Sequence, residues 1–374
     1  MNYDFTSEQN ILRESAHRLL AKKCSSQHVR EMAEDERGFS IELWEQMVDL
    51  GWMSLLIPEQ YEGSGVHFFD LSILLSEMGY YCLPGPFFST VVSGGLALLE
   101  AGSDRQKETI LPDISNGKCK VSLAWMEEEG TYSPEGIKLG ARKKNGKFIL
   151  TGNKLFVPDA HVSDMIICAA RTSGDLKSIT LFLVEKETRG VQVQLLNTMA
   201  GDKQCEILFD HVEIPEEKIL GAIDSGWPTL KKVLLKSAVA KCAEMIGGAQ
   251  RVMDLVVPYV KGRKQFGRPI GAFQAIQHHC ADMLTCIETM KYLTYQAAWR
   301  IDKGLSFEKE AAICKAWASD SYRKLVALGH QVIGGVGFME EYDLQLYFKA
   351  AKATEQLFGD ADFYREQVAR EMGL

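Results

Sequence analysis

Apolar positions recur at helical spacing in the first third of the chain. The apolar series between residues 11 and 20 follows Thr6-x-x-Gln9, which has the form of a capping box at a helix start. Two further helices are predicted over about 41–50 and 69–78, with prolines and glycines between them. This part of the chain is therefore predicted to be α-helical.

From about residue 119 the pattern changes to short runs rich in β-branched and aromatic residues. Turn dipeptides such as Asn145-Gly146 separate these runs. The predicted strands are 120–125, 147–151, 165–170, 179–184, 191–196 and 205–212. Strands this short and this closely spaced are typical of a compact, mostly antiparallel sheet or barrel.

Helical periodicity returns from about residue 224. One apolar stripe runs from Leu230 to Val256, and Pro258 is predicted to kink or end that helix. Two more long helices are predicted over 273–302 and 307–333. The pattern predicts an α+β fold of three domains: 1–118 helical, 119–223 β-sheet or barrel, and 224–374 helical.

Composition narrows the class of protein. A hydrophobic fraction of 46% excludes disorder, and a net charge of −8 with scattered basic residues argues against a nucleic-acid binder. No run approaches the roughly 20 apolar residues of a membrane span, and the first 20 residues lack the pattern of a signal peptide. Nine cysteines without a C-x-x-C pair indicate buried free thiols. We therefore expect a cytoplasmic protein.

Two short motifs in the C-terminal region carry candidate chemistry. They are Arg263–Ile270 (RKQFGRPI) and, about 65 residues later, Gln331–Phe338 (QVIGGVGF). An arginine can engage a diphosphate with parallel hydrogen bonds, and glycines allow the backbone to approach a ligand closely. The alternative is a solvated arginine and a glycine turn between helices. The adjacent His278-His279 does not indicate a metal site, because neighbouring helical positions face different directions.

Together with the helix–sheet–helix order, these motifs resemble the acyl-CoA dehydrogenase family over nearly the whole chain. Segments 141–154 and 209–215 also resemble the family's middle domain. The resemblance implies an N-terminal helical domain, a middle β-domain and a C-terminal four-helix bundle. It also implies FAD as cofactor, an acyl-CoA substrate and an electron-transferring flavoprotein as acceptor.

The resemblance further assigns cofactor-binding residues, which in the family reach across a subunit interface to the ADP half of the partner's FAD. A dimer or a dimer of dimers is therefore implied. The residues at the matching motif positions are Arg263, Gln265, Phe266, Gln331, Gly334 and Gly335.

The chain departs from the family pattern at the catalytic base. Many members carry a Glu just before a glycine near the C-terminus, where this chain has Phe358, and a phenyl ring cannot accept a proton. Other members carry the Glu early in the first long C-terminal helix, where this chain has Ser237, and the arginine that usually follows is Ala238. Both usual positions of the base therefore lack a carboxylate.

The residues expected beside the flavin ring also differ. Phe156-Val-Pro158 replaces the family's Trp-x-Thr/Ser, and proline offers neither a hydroxyl nor an N–H. Met126-Glu-Glu128 replaces a Thr-Glu-Pro stretch. The residues that grasp ADP are thus retained, whereas the catalytic residues are changed.

Two carboxylates are candidates for a replacement base. Glu244 lies seven residues after Ser237, about 10 Å further along one helix face. Asp360 is two residues beyond Phe358. Each has an alternative explanation: Glu244 as an acid satisfied by a neighbouring basic group or water, and Asp360 as the N-cap of the last helix.

These features predict an FAD-dependent acyl-CoA dehydrogenase or the small subunit of a heteromeric one. The C-terminal segment 357–364 resembles the small subunits of two-gene, pimeloyl-CoA dehydrogenase-like enzymes. The oligomer is either a homotetramer or a heterotetramer with a second dehydrogenase chain. The alternatives are a catalytically silent subunit that completes a partner's FAD site and a flavin monooxygenase on the same fold.

Overall fold

The structure is a computed structural model that describes residues 4–374. Within these residues the chain forms eleven α-helices and ten strands. The helices α1–α11 are Ser7–Lys23, Ser26–Glu34, Ile41–Asp49, Phe68–Tyr80, Gly95–Ala101, Asp104–Ser115, Gly226–Gly262, Gln274–Asp302, Glu308–Ile333, Leu344–Gln356 and Ala361–Glu371. The chain divides into a helical unit (residues 4–31, 68–83 and 235–374) and a sheet unit (residues 32–67 and 84–234).

The capping box predicted at the first helix is confirmed. Thr6 Oγ1 accepts a hydrogen bond from the backbone N–H of Gln9, and the Gln9 side chain accepts one from the Thr6 N–H. The helices predicted near 41–50, 69–78, 273–302 and 307–333 are also present, as α3, α4, α8 and α9.

In the helical unit, α9 packs against α8, α10 and α11. The backbones of α4 and α7 approach each other closely at glycines. A Cβ at Gly247 would lie 1.8 Å from the Ser76 carbonyl oxygen, and a Cβ at Gly79 would lie 2.0 Å from that of Glu244. Any larger residue at these positions would push the two helices apart.

Helix α7 continues to Gly262, four residues beyond Pro258. Of the two expected outcomes, an end of the helix at Pro258 is therefore wrong, while a kink there stays a prediction. Pro258 lies close to the C-terminal end, and one further turn of helix follows it before the chain leaves at Arg263.

The sheet unit contains α3, α5, α6 and an eight-stranded sheet in the order β6-β7-β3-β2-β4-β5-β8, with β1 beside β4. Strands β1–β8 are Val121–Ala124, Gly140–Lys144, Lys147–Pro158, Met165–Arg171, Ile179–Glu185, Val191–Leu196, Gln204–Pro215 and Ile219–Leu220. Most neighbours are antiparallel, while β1 and β2 pair with β4 in parallel. All six predicted strands are present, and the sheet is mostly antiparallel as expected.

Strand β2 was not predicted. It forms a hairpin with β3 through Asn145 and Gly146, whose φ angles of 52° and 75° match the two-residue turn that favours Asn-Gly. Its residues from 142 to 144 are basic and exposed, so the segment lacks the apolar run from which a strand is predicted. Side chains such as Phe148, Phe182 and Phe209 fill the core of the sheet.

The nine cysteines are free thiols, as predicted, and seven of them are buried. Burial raises the pKa of Cys24, Cys119 and Cys168 to about 12. These side chains behave as small apolar residues of the core.

Candidate functional site

The first motif forms a hairpin directly after α7. Strands β9 (Lys264–Gln265) and β10 (Arg268–Pro269) are antiparallel, and Phe266 and Gly267 at the tip have φ angles of 54° and 78°. The ring of Phe266 is 91% exposed. Gln265 is exposed too, and its side-chain amide donates to the carbonyl of the preceding residue. The hairpin therefore presents an unburied aromatic side chain at its tip.

Arg263 connects α7 to this hairpin. Its backbone N–H donates to the Tyr259 carbonyl at 2.8 Å, and its carbonyl accepts from the Ile270 N–H at 2.8 Å. The side chain is exposed, and its guanidinium has no hydrogen-bond or ion-pair partner within residues 4–374. The backbone of Arg263 is thus fixed while its charge remains available to a ligand.

The second motif ends α9 in a glycine turn. Gly334 has φ 73° and ψ −147°, a combination that is essentially restricted to glycine. A Cβ built at Gly334 or at Gly335 would have no heavy atom within 4 Å, and Gly335 lacks a left-handed φ. Nothing in the described chain therefore requires position 335 to be glycine.

One hydrogen bond joins the two motifs. The Tyr259 hydroxyl, one turn before Arg263, donates to the carbonyl of Ile333 at 3.1 Å. Gln331 lies on the last turn of α9 and is exposed, and its amide has no partner within the described residues. The structure therefore brings the arginine segment and the glycine turn to the same end of α7 and α9.

His330 was missed by the sequence analysis. The residue is 6% exposed, and neither ring nitrogen has a hydrogen-bond partner in the part of the chain that is described. Its ring lies 5.0 Å from that of Phe338 and 5.4 Å from that of Phe348. Burial lowers the pKa of His330. The sequence feature that could have identified His330 is its position among apolar residues of a predicted helix, directly before the glycine motif.

The two positions at which the family resemblance predicts the base contain no carboxylate. Ser237 and Ala238 are fully buried on α7. Phe358 is 8% exposed and has a left-handed φ of 63°. Its carbonyl accepts a hydrogen bond from the Tyr364 hydroxyl at 2.7 Å.

The two candidate replacement bases already have partners. Glu244 forms a mostly buried ion pair with Lys241, one turn earlier on α7. Asp360 caps α11, because its carboxylate accepts the Phe363 N–H at 2.8 Å. They agree with the alternative explanations given above, in which Glu244 is satisfied by a neighbouring basic group and Asp360 is the N-cap of the last helix. A catalytic role for either residue stays a prediction.

In the sheet unit, Phe156 lies on strand β3 where the register with β7 shifts between Lys154 and Val157. It has a left-handed φ of 52° and is 56% exposed. A bulge of this kind redirects a side chain and is common beside active sites. The carbonyl of Pro158 accepts a hydrogen bond from Ser122 Oγ at 2.7 Å.

A buried ion pair lies near this bulge. The Nζ of the fully buried Lys154 donates to Glu127 Oε1 at 2.6 Å and to the Trp125 carbonyl at 3.2 Å. Oxygen Oε1 of Glu127 also accepts the Leu139 N–H at 3.0 Å. The Met126–Glu128 segment is thereby fixed to β3. Lys154 lies beyond the strand predicted over 147–151, so the sequence did not indicate that it is buried.

The site residues fit a dinucleotide cofactor. Arg263 offers an unpaired guanidinium, Gln331 an unpaired amide, and Gly335 an open backbone position. Within residues 4–374 no group of three or more His, Cys, Asp and Glu side chains is placed to hold a metal ion. None of the helices found in these residues has the length and apolar run that crossing a bilayer requires.

The helix–sheet–helix arrangement, with its paired arginine and glycine motifs, matches a family of flavoprotein oxidoreductases. Models of the N-terminal, middle and C-terminal domains of acyl-CoA dehydrogenases match residues 6–118, 122–212 and 224–373. The chain belongs to the acyl-CoA dehydrogenase family. The family resemblance and the predicted fold are thereby confirmed.

Similar proteins span the full length of the chain. An acyl-CoA dehydrogenase of Bacillus subtilis (strain 168) is 30% identical over 372 residues, covering 98% of each chain. The solved butyryl-CoA dehydrogenase of Megasphaera elsdenii has a TM-score of 0.93 at 25% identity and full coverage of both chains. The ChsE4-ChsE5 complex of Mycobacterium tuberculosis matches with a TM-score of 0.91 at 25% identity, covering 100% of this chain and 99% of the other.

Proposed function

We propose that this chain is the small subunit of a heteromeric, FAD-dependent acyl-CoA dehydrogenase. In this proposal Arg263 and the Gln331–Gly335 turn bind the ADP half of an FAD whose ring lies in a catalytically complete partner chain. An acyl-CoA is the substrate and an electron-transferring flavoprotein is the acceptor. The buried thiols favour a reducing compartment such as the cytoplasm.

One contrast within the helical unit carries the proposal. The groups that suit a diphosphate are exposed and lack partners, whereas Phe358 and Ser237 occupy the positions of the base. The nearby carboxylates of Glu244 and Asp360 are engaged by Lys241 and by the start of α11. A chain with these properties is suited to bind a flavin nucleotide and lacks a free base at either usual position.

The chain's own residues have distinct roles in this proposal. The guanidinium of Arg263 would pair with diphosphate oxygens, the amide of Gln331 would hydrogen-bond the nucleotide, and Gly335 would allow the backbone close approach. The exposed Phe266 at the hairpin tip would be covered by the neighbouring chain. FAD, when bound, supplies the hydride-accepting chemistry.

The comparison with a two-chain assembly supports a heteromer. ChsE4-ChsE5 is named as a complex, and its fold matches this chain throughout. The resemblance of segment 357–364 to two-gene small subunits supports the same assignment.

A second candidate is a self-sufficient homotetrameric dehydrogenase with Glu244 or Asp360 as the base. The sheet unit favours it, because the strained and exposed Phe156 and the buried Lys154–Glu127 pair remain beside the expected ring position. Strained aromatic residues that stay exposed are typical of functional sites.

Absorbance of the purified protein separates the two candidates. The chain is expressed alone and together with a second dehydrogenase chain, and an acyl-CoA is added anaerobically. For the small subunit we expect a colourless chain that becomes yellow, and is bleached by the thioester, only in the co-expressed assembly. A yellow chain that is bleached on its own would instead support the self-sufficient dehydrogenase.

Variants test which residues hold the flavin. Arg263→Ala is expected to lower the flavin content of the assembly at least tenfold, since a charge-assisted contact to the diphosphate is lost. Arg105→Ala, an exposed arginine on α6, is the matched control and is expected to retain flavin. Equal flavin content in the two variants would contradict the proposed role of Arg263.

A further inference from the structure

Lys315 lies on α9 and is fully buried. Within residues 4–374 no carboxylate lies at ion-pair distance from its amine. The Nζ atom instead lies 3.2, 3.0 and 2.7 Å from the carbonyl oxygens of Thr354, Glu355 and Gly359, and 3.0 Å from Ser319 Oγ. A buried lysine without a carboxylate partner is costly, so its contacts require an explanation.

The acceptors belong to two consecutive pieces of chain. Thr354 and Glu355 are in the last turn of α10, whose final carbonyls have no donor within the helix and carry the negative end of the helix dipole. Gly359 lies in the turn between α10 and α11. A single amine on α9 therefore ties the end of α10 to the turn that follows it.

That turn has an unusual backbone. Phe358 and Gly359 both have left-handed φ angles, 63° and 110°, and the left-handed region is unfavourable for a residue with a Cβ. Tyr364 donates to the Phe358 carbonyl, and Asp360 caps the Phe363 N–H. Together with the lysine, contacts from three side chains hold three consecutive residues of the turn. A strained backbone persists only where its surroundings fix it in this way.

We propose that Lys315 is a positioning residue, which holds the turn 357–360 so that the side chain at position 358 is presented in one fixed orientation. The inference rests on the proposed function in one respect: position 358 is where matching relatives carry the catalytic Glu. In this chain the fixed turn holds Phe358 in that place.

The contacts of Lys315 make the turn sensitive to pH. Burial lowers the pKa of Lys315 to about 8, and the nearby carboxylates of Asp360 and Glu355 oppose that shift. Asp360 lies at the start of α11 and Glu355 at the end of α10, while the thiols of Cys242 on α7 and Cys314 on α9 also face the amine.

The direction of the pH effect follows from proton linkage. In an opened turn the lysine is solvated, and its pKa returns to about 10.5. Between these two values the closed turn binds fewer protons than the open one, so closing becomes more favourable as the pH rises. Between about pH 7 and about pH 9.5, the two pKa values give a roughly 25-fold increase in the closing equilibrium.

Hydrogen exchange of the full-length chain measures this equilibrium. Protection factors are determined by mass spectrometry for peptides that cover residues 353–366 at the two pH values. In the wild type we expect protection of the turn to rise about 25-fold, after correction for the intrinsic rate. In Lys315→Met we expect this rise to disappear and the protection at neutral pH to fall about tenfold or more.

Lys324→Met is the matched control, because Lys324 is an exposed lysine on the same helix. It is expected to keep the rise in protection. A wild-type turn whose protection does not change between the two pH values would overturn the proposal. So would a Lys315→Met chain that keeps the rise. If Lys315→Met does not fold, the wild-type profile alone decides.

This experiment requires neither flavin nor a partner chain. Its failure would therefore leave the proposed function standing. Conversely, a chain that never binds flavin would refute the proposed function while the exchange result for Lys315 stayed valid.

Discussion

Alanine at position 335 separates a role in folding from a role in ligand binding. A Cβ at Gly335 has no heavy atom within 4 Å, and its φ is not left-handed. Replacing glycine by alanine at such a position leaves the free energy of unfolding unchanged or raises it by about 0.4–1 kcal/mol. The structure therefore predicts that Gly335→Ala folds at least as stably as the parent.

The neighbouring glycine provides the contrast. Gly334 has φ 73° and ψ −147°, so a Cβ there is strained although space is open around it. Gly334→Ala is expected to lower the free energy of unfolding by about 1–3 kcal/mol. Urea unfolding of the two variants measures both changes.

Gly335→Ala is expected to weaken FAD binding although it does not lower the stability of the fold. If the diphosphate of FAD approaches the backbone at Gly335, the added methyl group displaces it. A loss of about 1.4 kcal/mol in binding, which is tenfold in Kd, is then the minimum expected. The assay is titration of the flavin-depleted assembly with FAD. A Gly335→Ala protein with unchanged stability and unchanged FAD affinity would refute the assignment of the glycine turn to the cofactor.

Three further predictions concern buried or strained groups. Lys154→Met leaves the Glu127 carboxylate, 11% exposed, without its cation, so the free energy of unfolding should fall by about 3–5 kcal/mol; urea unfolding measures this, and a loss below 1 kcal/mol would contradict it. Because burial lowers the pKa of His330, the folded chain binds fewer protons than the unfolded one below about pH 6.5, and stability falls as the pH drops toward the folded pKa. Melting curves at pH 7.5 and 5.5 should therefore diverge less for His330→Phe than for the wild type, and equal divergence would exclude this contribution. Phe358→Glu places a carboxylate on the fixed turn, so a flavin-loaded preparation should gain anaerobic bleaching by an acyl-CoA that Phe358→Gln lacks; equal traces for the two variants would count against a competent turn.

Periodicity identified most of the fold because it depends on neighbouring residues. The long helices and strand β3 alternate buried and exposed positions, while β4 and β5 are almost continuously buried apolar runs, and both patterns are visible within a dozen residues. The sequence pattern does not predict strand β2, because its side chains from 142 to 144 are basic and exposed. The strand is stabilised by pairing with β3. Pro258 alone does not show where α7 ends, because a proline near a helix end allows one further turn.

The sequence indicated the residue types of the candidate site but not the contacts that position them. Arg263 and Gly334 could be selected by residue type, since few residues suit a diphosphate or a glycine-only backbone. The hydrogen bonds that position the site's backbone could not be predicted from the sequence. Tyr259 and Ile333 are 74 positions apart, and Lys315 and Gly359 are 44 apart. Contacts of this length depend on how helices pack, which a single sequence does not display.

Because most of the native cysteines are buried, their thiols are expected to react slowly with labelling reagents. Maleimides react with thiolates, and burial keeps cysteines such as Cys24 and Cys168 protonated at neutral pH. A single cysteine engineered on the surface, for example in place of the exposed Lys264, would then label ahead of the native ones. Fluorophores attached in this way would report by energy transfer how near one chain's hairpin comes to a second chain, without removal of any natural cysteine.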